Sequence, residues 1–259
     1  MGIVNVTPDS FYPGSRTAGH EAAIARGRAL LAQGCDIVDV GGESTRPGAE
    51  SVEVADELER VIAVVAALSA DAEVSIDTQK EQVARAAVGA GARIVNDVSG
   101  TLAEVAGELG AGYVAMHRQG DATTMQVNPT YDDVVAEVGD ALDALARRAR
   151  AAGVTRLWLD PGIGFGKSAR HNLALLAHLE RVAHVAARHD AGVLVGTSRK
   201  RFLGRLGGAE LGVDDRLAGS VATAAWALTH GATMIRVHDG AISAQLRDLI
   251  ARPLAEVAP

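Results

Sequence analysis

Residues 35–46 read CDIVDVGGESTR. The β-branched run through Ile37, Val38 and Val40 is long enough for one short buried strand, and Gly41 and Gly42 end it. A carboxylate, two hydroxyls and a guanidinium follow at Glu43, Ser44, Thr45 and Arg46. The stretch reads as a strand that carries polar groups to its C-terminal tip.

The arrangement recurs along the chain. Short β-branched runs occupy 3–6, 36–40, 73–76, 93–95, 113–116, 157–159, 193–195 and 234–237. Alanine-rich helical patterns separate them at 20–33, 52–69, 79–89, 132–152, 169–188 and 214–230, with another at 241–250 and a shorter one at 102–109. Fully apolar strands alternating with helices imply parallel strands covered on both faces by crossover helices. Eight such units in 259 residues suit a (β/α)8 TIM barrel, read as one domain over 1–259. An open doubly wound sheet would put a glycine-rich dinucleotide fingerprint after the first strand. NVTPDSF stands there instead, which favours the barrel.

Composition agrees. The chain is 48% hydrophobic and only 3% aromatic, so its core is built of Ala, Val, Leu and Ile. A net charge of −7 with no long basic run argues against nucleic acid as the main partner. The single cysteine, Cys35, excludes a disulfide framework and reads as a buried thiol. Neither a signal-peptide pattern nor an apolar stretch long enough to span a bilayer is present, so a soluble cytoplasmic protein is expected.

In a parallel barrel all C-terminal strand ends share one rim, where substrates bind. Here those ends carry Asn5, Glu43–Arg46, Asp77, Asn96 with Asp97, His117, Asp160, Ser198–Lys200 and His238 with Asp239. Some of these polar residues need do no more than cap helices, a reading that suits Thr78, Ser99, Asp132 and Asp239. Asp77, Asn96 and Asp160 follow their apolar runs directly, and as acceptors they suit a ligand rich in N–H donors, such as an aminopyrimidinone ring. Arg46, Lys200, Arg236 and His238 suit phosphate or diphosphate. No G-x-S-x-G elbow and no zinc-ligand spacing occurs. A hard cation such as Mg²⁺, held mainly by a substrate's phosphates, needs only one or two protein oxygens.

NVTPDSF at 5–11, VDVGGESTRPGA at 38–49, SIDT at 75–78, NDVSG at 96–100, LDPGIGFGK at 159–167, GTSRKRFLG at 196–204 and IRVHD at 235–239 together resemble the dihydropteroate synthase family, in that family's order and over almost the whole chain. The resemblance implies a (β/α)8 barrel, a homodimer, and condensation of 6-hydroxymethyl-7,8-dihydropterin diphosphate with p-aminobenzoate. By similarity, Asp77, Asn96, Asp160 and Lys200 line a deep pterin pocket, with Met116 and Phe165 as apolar walls. Asn5, Arg236 and His238 resemble the diphosphate site, with Asn5 also beside Mg²⁺. Thr45, Arg46 and Pro47, with Ser198, resemble the p-aminobenzoate site. Asp77, Lys200, Arg236 and His238 are the residues expected to act on the reacting atoms. Residues 7–11 would close over the reaction.

The sequence departs from the family pattern in a few places. Tyr12-Pro13-Gly14-Ser15 follows NVTPDSF, and Pro13 fixes one φ angle of the first loop. Arg118 follows His117 where an apolar Met is common, and reads either as a cation reaching the solvent edge of the pocket or as a surface cation. Met1 stands almost at the first strand, where relatives carry a short preceding segment, so a barrel-floor plug would be missing from the chain as it stands. Two rivals remain at this stage. A pterin-dependent methyltransferase barrel would share the Asp and Asn contacts but has no use for STRPGA and TSRK. A non-catalytic paralogue that binds pterin would be expected to have lost rim residues, and those are all present.

Overall fold

Strand and helix alternate throughout the computed structural model, which describes residues 1–6, 16–44, 51–120, 124–205 and 210–251. The order is β1 (Gly2–Asn5), α1 (Arg16–Ala32), β2 (Ile37–Gly41), α2 (Val54–Leu68), β3 (Glu73–Asp77), α3 (Glu81–Gly89), β4 (Ile94–Asp97) and α4 (Ala103–Glu108). It continues with β5 (Gly112–Met116), α5 (Val134–Ala151), β6 (Leu157–Asp160), α6 (Ala169–Ala177), α7 (Leu179–Arg188), β7 (Gly192–Val195), α8 (Leu217–Thr229), β8 (Met234–Ile235) and α9 (Gly240–Ala251). Each strand pairs in parallel with the next, in the order β1 to β8. Closure comes from residues just beyond β8: the Ile3 N–H donates to the Val237 carbonyl at 2.9 Å, and the Val237 N–H donates to the Met1 carbonyl at 3.0 Å. The (β/α)8 barrel is therefore as expected.

Period two along each strand sorts side chains into two separate cores. One parity, including Val38, Val40, Val74, Ile76, Val95, Tyr113, Leu157, Leu159, Val193 and Val195, packs outward against the helices. The other parity, Met1, Ile37, Ile94, Val114 and Leu194 with Trp158 and Met234, fills the barrel floor. One step further along the inward parity the residue types turn polar: Asp39, Ser75, Asp77, Asn96, Asp160 and Arg236. The barrel is thus apolar below and polar above, and this places the site.

The helices follow from the same arithmetic. In α2, Val61, Val64, Val65 and Leu68 recur at helical spacing and are fully buried, each contributing roughly 1.5–3 kcal/mol. Ser168 and His171 form a capping box at the start of α6. The helix expected over 169–188 breaks at His178, whose φ of −119° and ψ of 34° leave the helical region without a Pro or Gly to announce it. The N-cap expected of Asp132 belongs to Asp133, whose carboxylate accepts the N–H groups of Val135 and Ala136. Adjacent residues of an extended segment face opposite ways, so an error of one changes which carboxylate reaches the helix end.

Candidate active site

Three groups of polar side chains sit inside the upper barrel. In the first, Arg236 at the end of β8 reaches across to β2 and β3: its Nε donates to Asp39 Oδ2 at 2.6 Å and its Nη2 to Asp77 Oδ2 at 2.7 Å. Asn96 on β4 donates its Nδ2 to the same Asp39 oxygen at 2.9 Å, which orients the amide with its own oxygen away from that carboxylate. Asp39 Oδ1, Ser75 Oγ and Asp77 Oδ1 are buried and have no partner among the described residues. Burial pushes the Asp77 carboxyl up from its usual range, Arg236 pulls it back, and Asp39 adds to the rise. Burial disfavours the charge on Arg236, but Asp39 and Asp77 outweigh it and the guanidinium stays ionised.

The second group lies on the β6 and β7 side. Asp160 Oδ1 accepts the Gly162 N–H at 2.7 Å, which leaves its other oxygen for a ligand. Lys200 donates to the Ile163 carbonyl, and its ammonium lies 4.6 Å from the centroid of the Phe165 ring. Burial lowers the Lys200 pKa to about 8, against the pull of Asp160. Burial raises that of Asp160, against the pull of Lys200. Met116 is buried on β5 in register with Asp160. In the third group, Ser198 Oγ and His238 Nδ1 lie 3.0 Å apart, and Ser198 also accepts the His238 backbone N–H.

The β6–α6 turn that carries Phe165 is built around Lys167, which is 3% exposed. The Lys167 ammonium meets His117 Nδ1 at 2.9 Å and donates to the carbonyls of Phe165 at 3.0 Å and Gly162 at 3.1 Å. The His117 carbonyl lies a little farther off at 3.4 Å, and there is no carboxylate among the hydrogen-bond partners. Burial accordingly brings its pKa down to about 7. Burial likewise lowers His117 to about 3, so the ring is neutral and Nδ1 accepts. Gly162 has φ +65°, and a Cβ there would meet the His117 carbonyl at 1.9 Å, so both conformation and space demand glycine.

Of the expected site residues, the structure joins Asp77, Asn96 and Arg236 in one network, Asp160, Phe165 and Lys200 in a second, and Ser198 with His238 in a third. Asn5 is partly buried at the end of β1, beside Gly41 in register. Thr45, Arg46, Pro47 and the first loop lie outside the described residues. Sequence reading missed Asp39 and Lys167. The signal for Asp39 was there: it shares the inward parity of Ile37 and Gly41 in an otherwise apolar strand. Nothing local marked Lys167. Asp97, grouped with Asn96 at the rim, points the other way, where it accepts the Tyr113 hydroxyl at 2.8 Å and the Leu102 N–H at 2.8 Å.

Among the described residues no cluster of three His, Cys, Asp or Glu could hold a metal. The amide oxygen of Asn5 fits an ion that arrives on substrate phosphates, since Mg²⁺ takes few protein oxygens there, and does not fit a resident ion caged by protein. As a whole, the barrel end offers buried acceptors with single oxygens to spare, a cation over an aromatic ring, and a guanidinium with its Nη1 edge uncommitted among the described residues.

Residues 1–238 match the family model described as pterin binding enzyme. The dihydropteroate synthase of Escherichia coli K12 is 45% identical over 248 residues, covering 92% of this chain and 86% of that protein. A solved Xanthomonas albilineans dihydropteroate synthase with 4-aminobenzoic acid superposes with a TM-score of 0.89 at 45% identity, covering 100% of this chain and 93% of the other. A structure of the synthase from that organism in complex with 7,8-dihydropteroate gives a TM-score of 0.85 at 41% identity, covering 100% and 94%.

Proposed function

The chain belongs to the pterin-binding enzyme family, and from that membership we propose how its barrel-end residues divide the work. The reaction is a transferase step of folate synthesis: 6-hydroxymethyl-7,8-dihydropterin diphosphate and p-aminobenzoate give 7,8-dihydropteroate and diphosphate. The observation that supports the assignment of roles is the set of acceptors left over inside the barrel. Asp77 Oδ1 is buried and unpartnered among the described residues, and Asn96 and Asp160 each keep one oxygen free of the bonds described above. Three such acceptors match the N–H-rich edge of a pterin, with Asp160 taking the 2-amino and N3 side. Lys200 approaches the ring carbonyl and N5, while Phe165 and Met116 form its apolar walls.

Loss of diphosphate from the pterin's side-chain carbon leaves positive charge on a ring able to share it. The departing anion is stabilised by the free edge of Arg236 and by His238, held by Ser198. When bound beside Asn5, Mg²⁺ would neutralise charge on the diphosphate oxygens. The weak aniline nucleophile needs no strong base, because the cation is the better electrophile. Thr45, Arg46 and Pro47 with Ser198 are proposed to hold p-aminobenzoate, and the first loop to exclude water. Arg236→Ala would strip the counter-charge from Asp77, so it should weaken free pterin as well as the diphosphate ester.

A homodimer is the proposed assembly, supported by the exposed apolar side chains Leu217, Trp226, Ile242 and Leu249 on α8 and α9. No described helix is long and apolar enough to cross a membrane. The test mixes purified protein with the pterin diphosphate, p-aminobenzoate and Mg²⁺, and follows dihydropteroate by mass alongside diphosphate release. Product in step with diphosphate is expected. Diphosphate without product would mean that water captures the cation, and neither signal would overturn the catalytic reading.

A further inference from the structure

The inner stripe of α2 contains one residue that an apolar core should reject. Glu57 lies one turn before Val61 on the buried face and is fully buried itself. Its carboxylate accepts the Thr78 hydroxyl at 2.7 Å and pairs with Lys80. Lys80 pairs in turn with Glu43, which directly follows the two glycines ending β2. Glu43 Oε1 accepts Gln79 Nε2 at 2.8 Å, and Oε2 accepts the backbone N–H of Val52 at 3.0 Å. Glu43 and Val52 stand on either side of residues 45–50 in the chain, so one carboxylate ties the entry of that loop to its exit. Arg60 of α2 adds a bond to the Gly42 carbonyl at 2.9 Å.

We propose that Glu57, Lys80 and Glu43 are positioning residues that set the base of the second loop and thereby the affinity for p-aminobenzoate. The inference rests on the reading that Thr45 and Arg46 of that loop receive this substrate. A buried carboxylate costs several kcal/mol unless it is paired, and an apolar residue would fill the α2 stripe at no such cost. The charge on Glu57 therefore needs a reason, and the structure shows one: it holds Lys80 in place, and Lys80 holds Glu43. Burial works against the charge on Glu43, but the bonds from Lys80, Val52 and Gln79 keep its pKa low. Burial works against that on Lys80 too, and its two glutamates hold its pKa high. Thr78 follows Asp77 directly, so the relay joins the loop to the strand end that bears a pterin acceptor. None of the three residues is proposed to touch a substrate.

The test is a split in kinetic constants. Lys80→Met leaves Glu43 and Glu57 facing each other without their cation. It should raise KM for p-aminobenzoate roughly tenfold, the equivalent of about 1.4 kcal/mol. KM for the pterin diphosphate should stay within about twofold, well under that one-decade change. Lys80→Arg should recover much of the loss. Glu43→Ala, checked for folding by circular dichroism, should reproduce the split and speed amide hydrogen exchange at Val52. Equal changes in both KM values, or unaltered exchange at Val52, would overturn the inference. Arg46→Ala serves as the control. If it raises KM for p-aminobenzoate while Lys80→Met does not, the relay is wrong and the loop assignment stands. If it changes nothing, the loop assignment fails and takes the inference with it.

Discussion

Arg236 Nε and Asp39 Oδ2 lie 2.6 Å apart although 197 residues separate them in the chain. The pair spans the barrel seam from β8 to β2, and it fixes the plane of the guanidinium whose Nη2 reaches Asp77. Removing Asp39 leaves a buried cation with half its counter-charge. Asp39→Ala should destabilise the protein by about 3–5 kcal/mol, the cost of breaking a buried pair from one side. Asp39→Asn should keep most of the stability while lowering kcat, because the hydrogen bond survives and the charge does not. Urea denaturation and steady-state rates measured on both variants check this. Equal stability loss in the two would mean that the charge matters more than the bond.

Asp160→Asn separates the turn from the ligand. The amide oxygen can still accept the Gly162 N–H, so the β6–α6 turn keeps its shape. The second oxygen becomes an NH₂ group, which cannot accept from the pterin edge. Dihydropterin binding measured by calorimetry should weaken by about 1.5–3 kcal/mol. Unchanged affinity would remove Asp160 from the pterin pocket.

Activity should fall at alkaline pH because of Lys200. Its folded-state pKa is lowered to about 8 by burial, so the ammonium is present below that pH and lost as pH rises through it. The kcat/KM for the pterin diphosphate should bend downward near pH 8, dropping about tenfold per unit beyond it. Lys200→Met should be poor at every pH and show no such bend. A bend that persists in that variant belongs to another group.

Tyr113→Phe probes the outer face of the barrel. The Tyr113 hydroxyl donates to Asp97, which also holds the Leu102 N–H ahead of α4. The variant should lose about 1 kcal/mol of stability, the net value of a typical hydrogen bond, with kcat and both KM values unchanged. Any change in KM would mean that Asp97 and Asn96 are not insulated by facing opposite sides of β4.

Most of the architecture could be read from the chain because its signals are local. The β-branched runs and their spacing mark all eight strands, and alanine-rich amphipathic patterns mark the helices between them. The break at His178 escaped because no residue there forbids a helix, and β8 ends at Ile235 because closure against β1 takes over the next residues. At the site, Asp77, Asn96 and Asp160 stood out because each directly follows an apolar run, and Lys200 and Arg236 because they are cations near strand ends. Lys167 did not, since its role depends on carbonyls that only the folded turn brings to one point.

The sequence by itself determined that this chain is a barrel with polar strand tips, because period and residue type act over a few neighbouring residues. It also determined the family, through motifs held in order along the whole length. Tertiary structure alone decided which tips pair with one another. Arg236 finds Asp39 and Asp77, Lys80 finds Glu43 and Glu57, and Asn96 is turned by Asp39. Such pairings depend on barrel closure and on the parity of each strand. A buried charge accepts only the partner that closure places within reach, and no distance along the chain encodes it.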